Sequence, residues 1–307
     1  MFKLLSSLFK DQKQVAEEAK TTGPAFAFPK MKTVFKNPEH QAQFERDGYI
    51  ILPFYNQHEI AELTDLYNNI HPKKTEGFFP STFSQDKNYR TVADVEIRRL
   101  CERGIEEYCQ DVKVMCGSFI VKTPVPESTM CVHQDMTLVD ESIYTGINIW
   151  VPLIDLNDEN GTLEVLPGSH RIFPTYRGSS IKGIYDACND EVKKYLVKVY
   201  PKAGEAIFFD QSIIHFSAAN NSGKVRVVTN TYFTHKDATF RTCYWKPEYG
   251  KKVEVFEQDD TFMTNFEQFG QNIHDRPKIG RSLGLFDYEF PELNADVLAQ
   301  KYKQVKV

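Results

Sequence analysis

The chain has 307 residues, of which 41% are hydrophobic and 26% charged; these values exclude a disordered, collagenous or low-complexity protein. Its 37 Lys and Arg against 42 Asp and Glu give a formal charge of −5, without the basic footprint of a nucleic-acid surface. No apolar run reaches the ~18 residues that cross a bilayer, so neither nucleic acid nor membrane is expected as a partner.

The first residues, MFKLLSSLFKDQK, are interrupted by Ser6, Ser7 and Lys10 and lead to no small-residue cleavage site. They read as a frayed amphipathic helix rather than a signal peptide. Residues 1–36 are expected to be a loosely packed leader. Asn37-Pro38-Glu39 then starts a helix, with Asn37 as cap and Pro38 at its first position. Tyr49–Leu52 reads as a strand after Gly48. Asn56 and Glu59 form a capping-box pair for a second helix striped by Ile60, Leu63, Leu66 and Ile70. A third helix is expected over about 92–109. From there the pattern changes to short β-rich runs at 112–123, 144–153, 162–166, 196–200, 205–209 and 225–234, and Asp158-Glu-Asn-Gly161 reads as a hairpin turn. Residues 240–300, rich in aromatic and acidic side chains, are expected to form an irregular cap. The whole reads as mainly β with flanking helices, an α+β chain built on one barrel or sandwich. The six cysteines form no CxxC pair, which fits reduced thiols in the cytoplasm.

The sharpest chemistry lies at His133-Gln134-Asp135. On a strand, residues two apart point to one face, so an imidazole and a carboxylate can aim at one point. Far downstream, the apolar run before His215 delivers a second imidazole from a strand end. Two histidines and one carboxylate leave three positions open on a metal, the arrangement that suits non-haem Fe(II) binding a cosubstrate and O2. Arg226 stands alone in the apolar run Val225-Arg226-Val227-Val228, where a buried guanidinium needs a carboxylate, which it grips through a bidentate fork.

These residues, with Trp150, the run Asn160-Gly161-Thr162-Leu163-Glu164-Val165-Leu166-Pro167-Gly168-Ser169-His170, Gly204-Glu205-Ala206, His215-Phe216-Ser217 and the lead-in Phe44-Glu45-Arg46-Asp47-Gly48-Tyr49, resemble the phytanoyl-CoA dioxygenase family of 2-oxoglutarate-dependent oxygenases over about residues 40–235. The resemblance implies a double-stranded β-helix, the cupin-like jelly roll, with an oxygenase domain over 37–239 and 240–307 as a cap of the same domain. It implies Fe(II) on His133, Asp135 and His215, and 2-oxoglutarate chelating that iron with its distal carboxylate on Arg226. Ser217 matches a position bonding the same carboxylate, Trp150 an aromatic lining the site, and Lys122 a Lys-Pro stretch that here carries an inserted Thr123. His170 is expected to be structural.

The activity implied is that of an oxidoreductase, a dioxygenase that hydroxylates an unactivated C–H bond with O2 and releases succinate and CO2. A carboxylate at 135 argues for hydroxylation or desaturation over halogenation, which needs that position for chloride. A small-molecule or natural-product substrate is preferred over a fatty acyl-CoA. Phe78, Phe79, Gln134, Arg171 and Arg177 are the expected substrate contacts, on the variable segments Glu76–Asn88, read as a lid, and Arg171–Tyr185, with the 240–290 tail as a third candidate. A zinc hydrolase and a non-catalytic jelly-roll binding module remain as rivals, but neither has a use for the triad together with Arg226. The excess of aromatics, 13% of the chain, concentrates at 78–83 and 240–290 and is expected to wall the substrate cavity.

Overall fold

Asn37 caps the first helix as its position requires. Its side chain accepts the Glu39 N–H, and the helix (α1, Pro38–Asp47) ends at Gly48, whose φ is +78°. The computed structural model describes residues 32–172, 176–265, 274–291 and 293–305; the amphipathic start and most of the expected leader, residues 1–31, lie outside them. The leader's last residues are not loose. Val34 and Phe35 are buried, their N–H groups both donate to the Gln41 side chain, and Phe35 bridges to Cys109.

Strand β1 (Tyr49–Pro53) leads into helix α2 (Gln57–Ile70), which carries the full Asn56–Glu59 capping box. After β2 (Phe78–Pro80) comes the long helix α3 (Lys87–Tyr108). It begins five residues before its apolar stripe suggests, because Asp86 accepts the N–H groups of Asn88 and Tyr89.

Eight strands follow: β3 (Val112–Lys122), β4 (Met130–His133), β5 (Gly146–Pro152), β6 (Leu163–Val165), then the short helix α4 (Asn189–Lys193), β7 (Val197–Val199), β8 (Glu205–Asp210), β9 (His215–Ser217) and β10 (Arg226–His235). They divide between two sheets. The larger runs β1-β8-β5-β10-β3-β2 and the smaller β4-β9-β6-β7. The chain therefore crosses repeatedly between two four-stranded faces, β8-β5-β10-β3 and β4-β9-β6-β7. That alternation is the double-stranded β-helix, a form of jelly roll. The turn at Asp158–Gly161 does not close a hairpin. It carries the chain from β5 in one sheet to β6 in the other, and β6 pairs with β7 and β9 instead.

Within the larger sheet, β5 is buried on both faces. Ile147, Ile149 and Val151 face a core shared with Ile97, Leu100 and Phe54 from the helical side, whereas Trp150 joins Leu163, Val165 and Phe209 between the sheets. Burial on both faces is why β5 reads as a continuous apolar run rather than an alternating one.

The segment after 240 is regular, not irregular. Strands β11 (Phe240–Tyr244), β12 (Lys252–Gln258) and β13 (Arg281–Asp287) form an antiparallel sheet, with the helical turn α5 (Phe262–Asn265) between β12 and β13 and helix α6 (Ala295–Val305) after it. Met31–Val307 is one compact unit. No helix among the described residues is long and apolar enough to cross a membrane.

Candidate metal centre

Strands β4 and β9 are antiparallel neighbours in the smaller sheet, and their register sets His133 opposite His215. The two rings lie with centroids 4.0 Å apart, tilted by 50°. Asp135 follows two residues after His133, beyond the end of β4, and its N–H donates to the Gln211 carbonyl (2.9 Å). Its Oδ1 lies 3.7 Å from His133 Nε2 and 4.0 Å from His215 Nε2. One ligand atom from each of the three residues falls within 4.8 Å of the others.

The donor set is fixed for metal binding. His133 Nδ1 sits 2.8 Å from the Cys131 carbonyl and His215 Nδ1 3.0 Å from that of Ile213. A carbonyl can only accept, so each Nδ1 carries the proton and each Nε2 turns a lone pair to the shared point. Burial, and then the neighbouring His215, hold the His133 imidazole well below its usual value, which keeps it neutral. Asp135 Oδ2 accepts from Asn148 Nδ2 (2.8 Å), and Asn148 Oδ1 accepts from Asn230 Nδ2 (2.9 Å).

Across the barrel, on the larger sheet, β10 opens with Arg226, which is 1% exposed. Its Nε and Nη1 are buried without a protein acceptor, and its guanidinium lies 5.2 Å from the Trp150 ring. Burial pushes that guanidinium down to about 9. An uncompensated buried cation is costly, and the donors match one end of a carboxylate. Ser217 and Trp150 line the same cavity, with Ser217 Oγ donating to the Gly161 carbonyl (2.8 Å). Lys122, paired with Arg226 in the β3–β10 register, does not line the cavity. Its Nζ donates to the Ser217 carbonyl (2.8 Å) and to that of Ala218, and burial, with Arg226 beside it, pushes it down to about 6.

The Pro-Gly-Ser-His run acts around this centre and not in it. The Ser169 hydroxyl accepts the Ile214 N–H (2.8 Å), one residue before His215. His170 Nε2 bonds the Glu45 carbonyl (3.1 Å), and a Cβ on Gly48 would fall 2.4 Å from its Nδ1. The lead-in and the downstream run are thus two sides of one contact.

The cavity holds 540 Å³ and reaches both the triad and Arg226. Its walls include Phe78, Phe83, Ile120, Met130, Met136 and Leu138. Of the expected substrate contacts, Phe78 and Gln134 line it. Phe79 does not: neighbouring strand residues point oppositely, and its ring packs on His71 instead. Arg171 is exposed and outside the cavity. Arg177 lines it, but is ion-paired to Glu141 and bonded to the Asp135 carbonyl (2.6 Å), so it offers no free charge. The segment 76–88 contributes β2, the edge strand beside β3. The aromatics of 240–290 that are described leave the cavity alone; only Met263 of that stretch reaches it, and rings such as Phe240 and Phe262 pack on each other. Asn148 and Asn230 escaped the sequence reading, although each is a lone amide in an apolar strand, at spacing two from Trp150 and four from Arg226, and so on the inward face.

The family model of phytanoyl-CoA dioxygenase (PhyH) matches residues 44–228. Phytanoyl-CoA dioxygenase domain-containing protein 1 of Danio rerio is 29% identical over 143 residues, 44% of this chain and 48% of that protein. Its homolog in Dictyostelium discoideum is 32% identical over 114 residues, 34% of this chain and 41% of that protein. The chain thus spans under half the length of these curated relatives. Among solved structures, the non-heme alpha ketoglutarate dependent carbocyclase SnoK from nogalamycin biosynthesis is similar at 18% identity and a TM-score of 0.49, covering 66% of this chain and 86% of its own. With the family model matching well over half of the sequence, including His133, Asp135, His215 and Arg226, the chain belongs to the phytanoyl-CoA dioxygenase family.

Proposed function

We propose that the protein is an Fe(II)- and 2-oxoglutarate-dependent dioxygenase that hydroxylates a C–H bond of a small, uncharged and largely apolar molecule. The observation that carries this reading is the Arg226 guanidinium, buried with two unpartnered nitrogens in the cavity that His133, Asp135 and His215 also line. The triad would hold Fe(II) through two Nε2 atoms and a carboxylate oxygen, and Arg226 would take the distal carboxylate of 2-oxoglutarate. When bound, the metal and the keto acid supply oxidation by O2, with succinate and CO2 released and one oxygen atom placed on the substrate. The chain's own part is to orient both imidazoles through their Nδ1 bonds to backbone carbonyls, to steady Asp135 through Asn148, and to exclude water with an apolar wall. A hydrolytic zinc site would leave Arg226 without a role.

The wall supports the substrate class. Outside the triad, Arg226 and the ion-paired Arg177, the charged residues lining the cavity are Lys182 and Asp186, both on the stretch after Arg177. Seating a charged group against Phe78, Ile120 and Leu138 would cost several kcal/mol, on the order of the penalty for an unpaired buried ion. Three of the chain's six methionines, Met130, Met136 and Met263, line the cavity, and such side chains adapt to irregular apolar shapes. The free thiols agree with a reducing compartment, and we place the enzyme in the cytoplasm.

The test is anaerobic. Fe(II) and 2-oxoglutarate together should give the protein a weak visible band near about 500 nm, the signature of a keto acid chelated at this type of site, and His133→Ala should abolish it. Absence of the band in the wild-type protein refutes the proposal. A succinate-release screen over uncharged apolar compounds, with mass spectrometry for one added oxygen, then identifies the substrate.

A further inference from the structure

One wall of the cavity is a single stretch of chain. Every residue from Tyr176 to Asp186 except Ser180 lines it. Both ends of this stretch are fastened to the main chain at the metal-ligand segment. At one end, Arg177 Nε donates to the Asp135 carbonyl (2.6 Å). The rest of that guanidinium pairs with Glu141, 3.0 Å from Nη1, and Glu141 also accepts from the Gln211 side chain (2.5 Å). The backbone of Arg177 is locked to Thr137 in both directions: the Thr137 N–H donates to the Arg177 carbonyl (3.1 Å), and the Arg177 N–H to Thr137 Oγ1 (3.0 Å). At the other end, the Tyr185 hydroxyl accepts the Gln134 N–H (2.6 Å). Arg177 and Tyr185 are 8% and 5% exposed, so these bonds are shielded from competing water.

Asp135 needs such support. It lies past the end of β4, so no strand ladder fixes its peptide groups. Its N–H goes to Gln211 and its carbonyl to Arg177, while the preceding N–H goes to Tyr185. Two of these three ties come from the cavity wall. We propose that Arg177 and Tyr185 are positioning residues for Asp135. They hold the carboxylate in the metal set through its backbone, and they join it mechanically to the wall a substrate would press against. This inference rests on the metal-binding reading above.

The experiment compares the full chain with Tyr185→Phe and with the paired change Arg177→Met/Glu141→Met, which removes both charges and leaves neither buried alone. The readouts are Ni(II) affinity by calorimetry, the visible spectrum of the Co(II)-loaded protein, and Tm. The paired variant should bind Ni(II) 10- to 100-fold more weakly, the usual order for loss of outer support to a ligand. Tyr185→Phe, which deletes one acceptor, should lose roughly 5-fold, as one ordinary hydrogen bond is worth. Both should alter the Co(II) spectrum. If the paired variant does not fold, Tyr185→Phe alone decides. Variants with a lowered Tm but wild-type Ni(II) affinity and Co(II) spectrum overturn the inference, since a merely structural role would act that way. A wild-type protein that binds no Ni(II) removes the metal reading itself, and this inference with it.

Discussion

Replacing Arg226 by Met separates two effects of opposite sign. The substitution keeps an unbranched apolar stem and removes a cation with two unpartnered buried nitrogens. A hydrogen bond to a charged group is worth ~1.5–3 kcal/mol, so losing two to the distal carboxylate of 2-oxoglutarate costs ~3–6 kcal/mol. At ~1.4 kcal/mol per decade, Kd for 2-oxoglutarate rises ~10²–10⁴-fold. The ligand-free protein moves the other way. Its guanidinium is 1% exposed, without an anion, and pushed down to about 9. Exchanging such a charge for an apolar side chain should stabilise the fold by ~1–4 kcal/mol, against ~1 kcal/mol lost with the Trp150 contact. Thermal melts with and without 2-oxoglutarate read both effects, and calorimetry gives Kd. Arg226→Met should melt higher than wild type when free and gain nothing from the keto acid. An equal 2-oxoglutarate shift in both proteins, or a ligand-free variant that melts lower, refutes the reasoning.

Two further predictions concern the scaffold. Glu254 accepts from Arg276, Ser282 and Tyr249, and the Arg276 bond above all pulls its carboxyl down to about 2. The folded value lies below the unfolded one, so this stabilisation is present above about 4.5 and is lost as pH falls from there to about 2. The Tm gap between wild type and Glu254→Gln should therefore close over that window, and a gap independent of pH would refute the assignment. Gly104 lies where α3 meets Phe54, and a Cβ there would fall 2.4 Å from the ring. Gly104→Val should cost ~2–3 kcal/mol by overpacking, seen as a lower urea midpoint at unchanged m; a wild-type midpoint argues against that contact.

Much of the barrel was legible because its strands are short, apolar and bounded by turn residues. The run 225–234 became β10, and the Asn37 and Asn56 caps fell where the local chemistry places them. Partner choice was not legible. Asp158–Gly161 is a good turn, but turn chemistry says nothing about which strand β6 will meet, and tertiary packing sent it to β9. The triad stood out through the spacing of His133 and Asp135 on one face, and Arg226 because a charge in an apolar strand is costly unless a counter-charge meets it. The wall segment was legible as a loop facing the substrate, but the state of Arg177 was not: Glu141, 36 residues away, becomes its partner only when the barrel closes. Phe79 and Phe78 differ only in strand phase, and phase is fixed by pairing with β3.

The order of strands in the larger sheet has a consequence for how the chain matures. Its central strand, β10, is the last of the barrel to leave the ribosome, yet it pairs with β5 and with β3, where Arg226 meets Lys122. Until residue 235 is available, β3 and β5 present unpaired apolar edges of the kind that seed aggregation. Pairing across such separations makes folding slow, on the scale of milliseconds to seconds. The same late strand carries Arg226, so the barrel's last step also completes the cosubstrate site, and a chain stalled before it would have three metal ligands and no anchor for the keto acid.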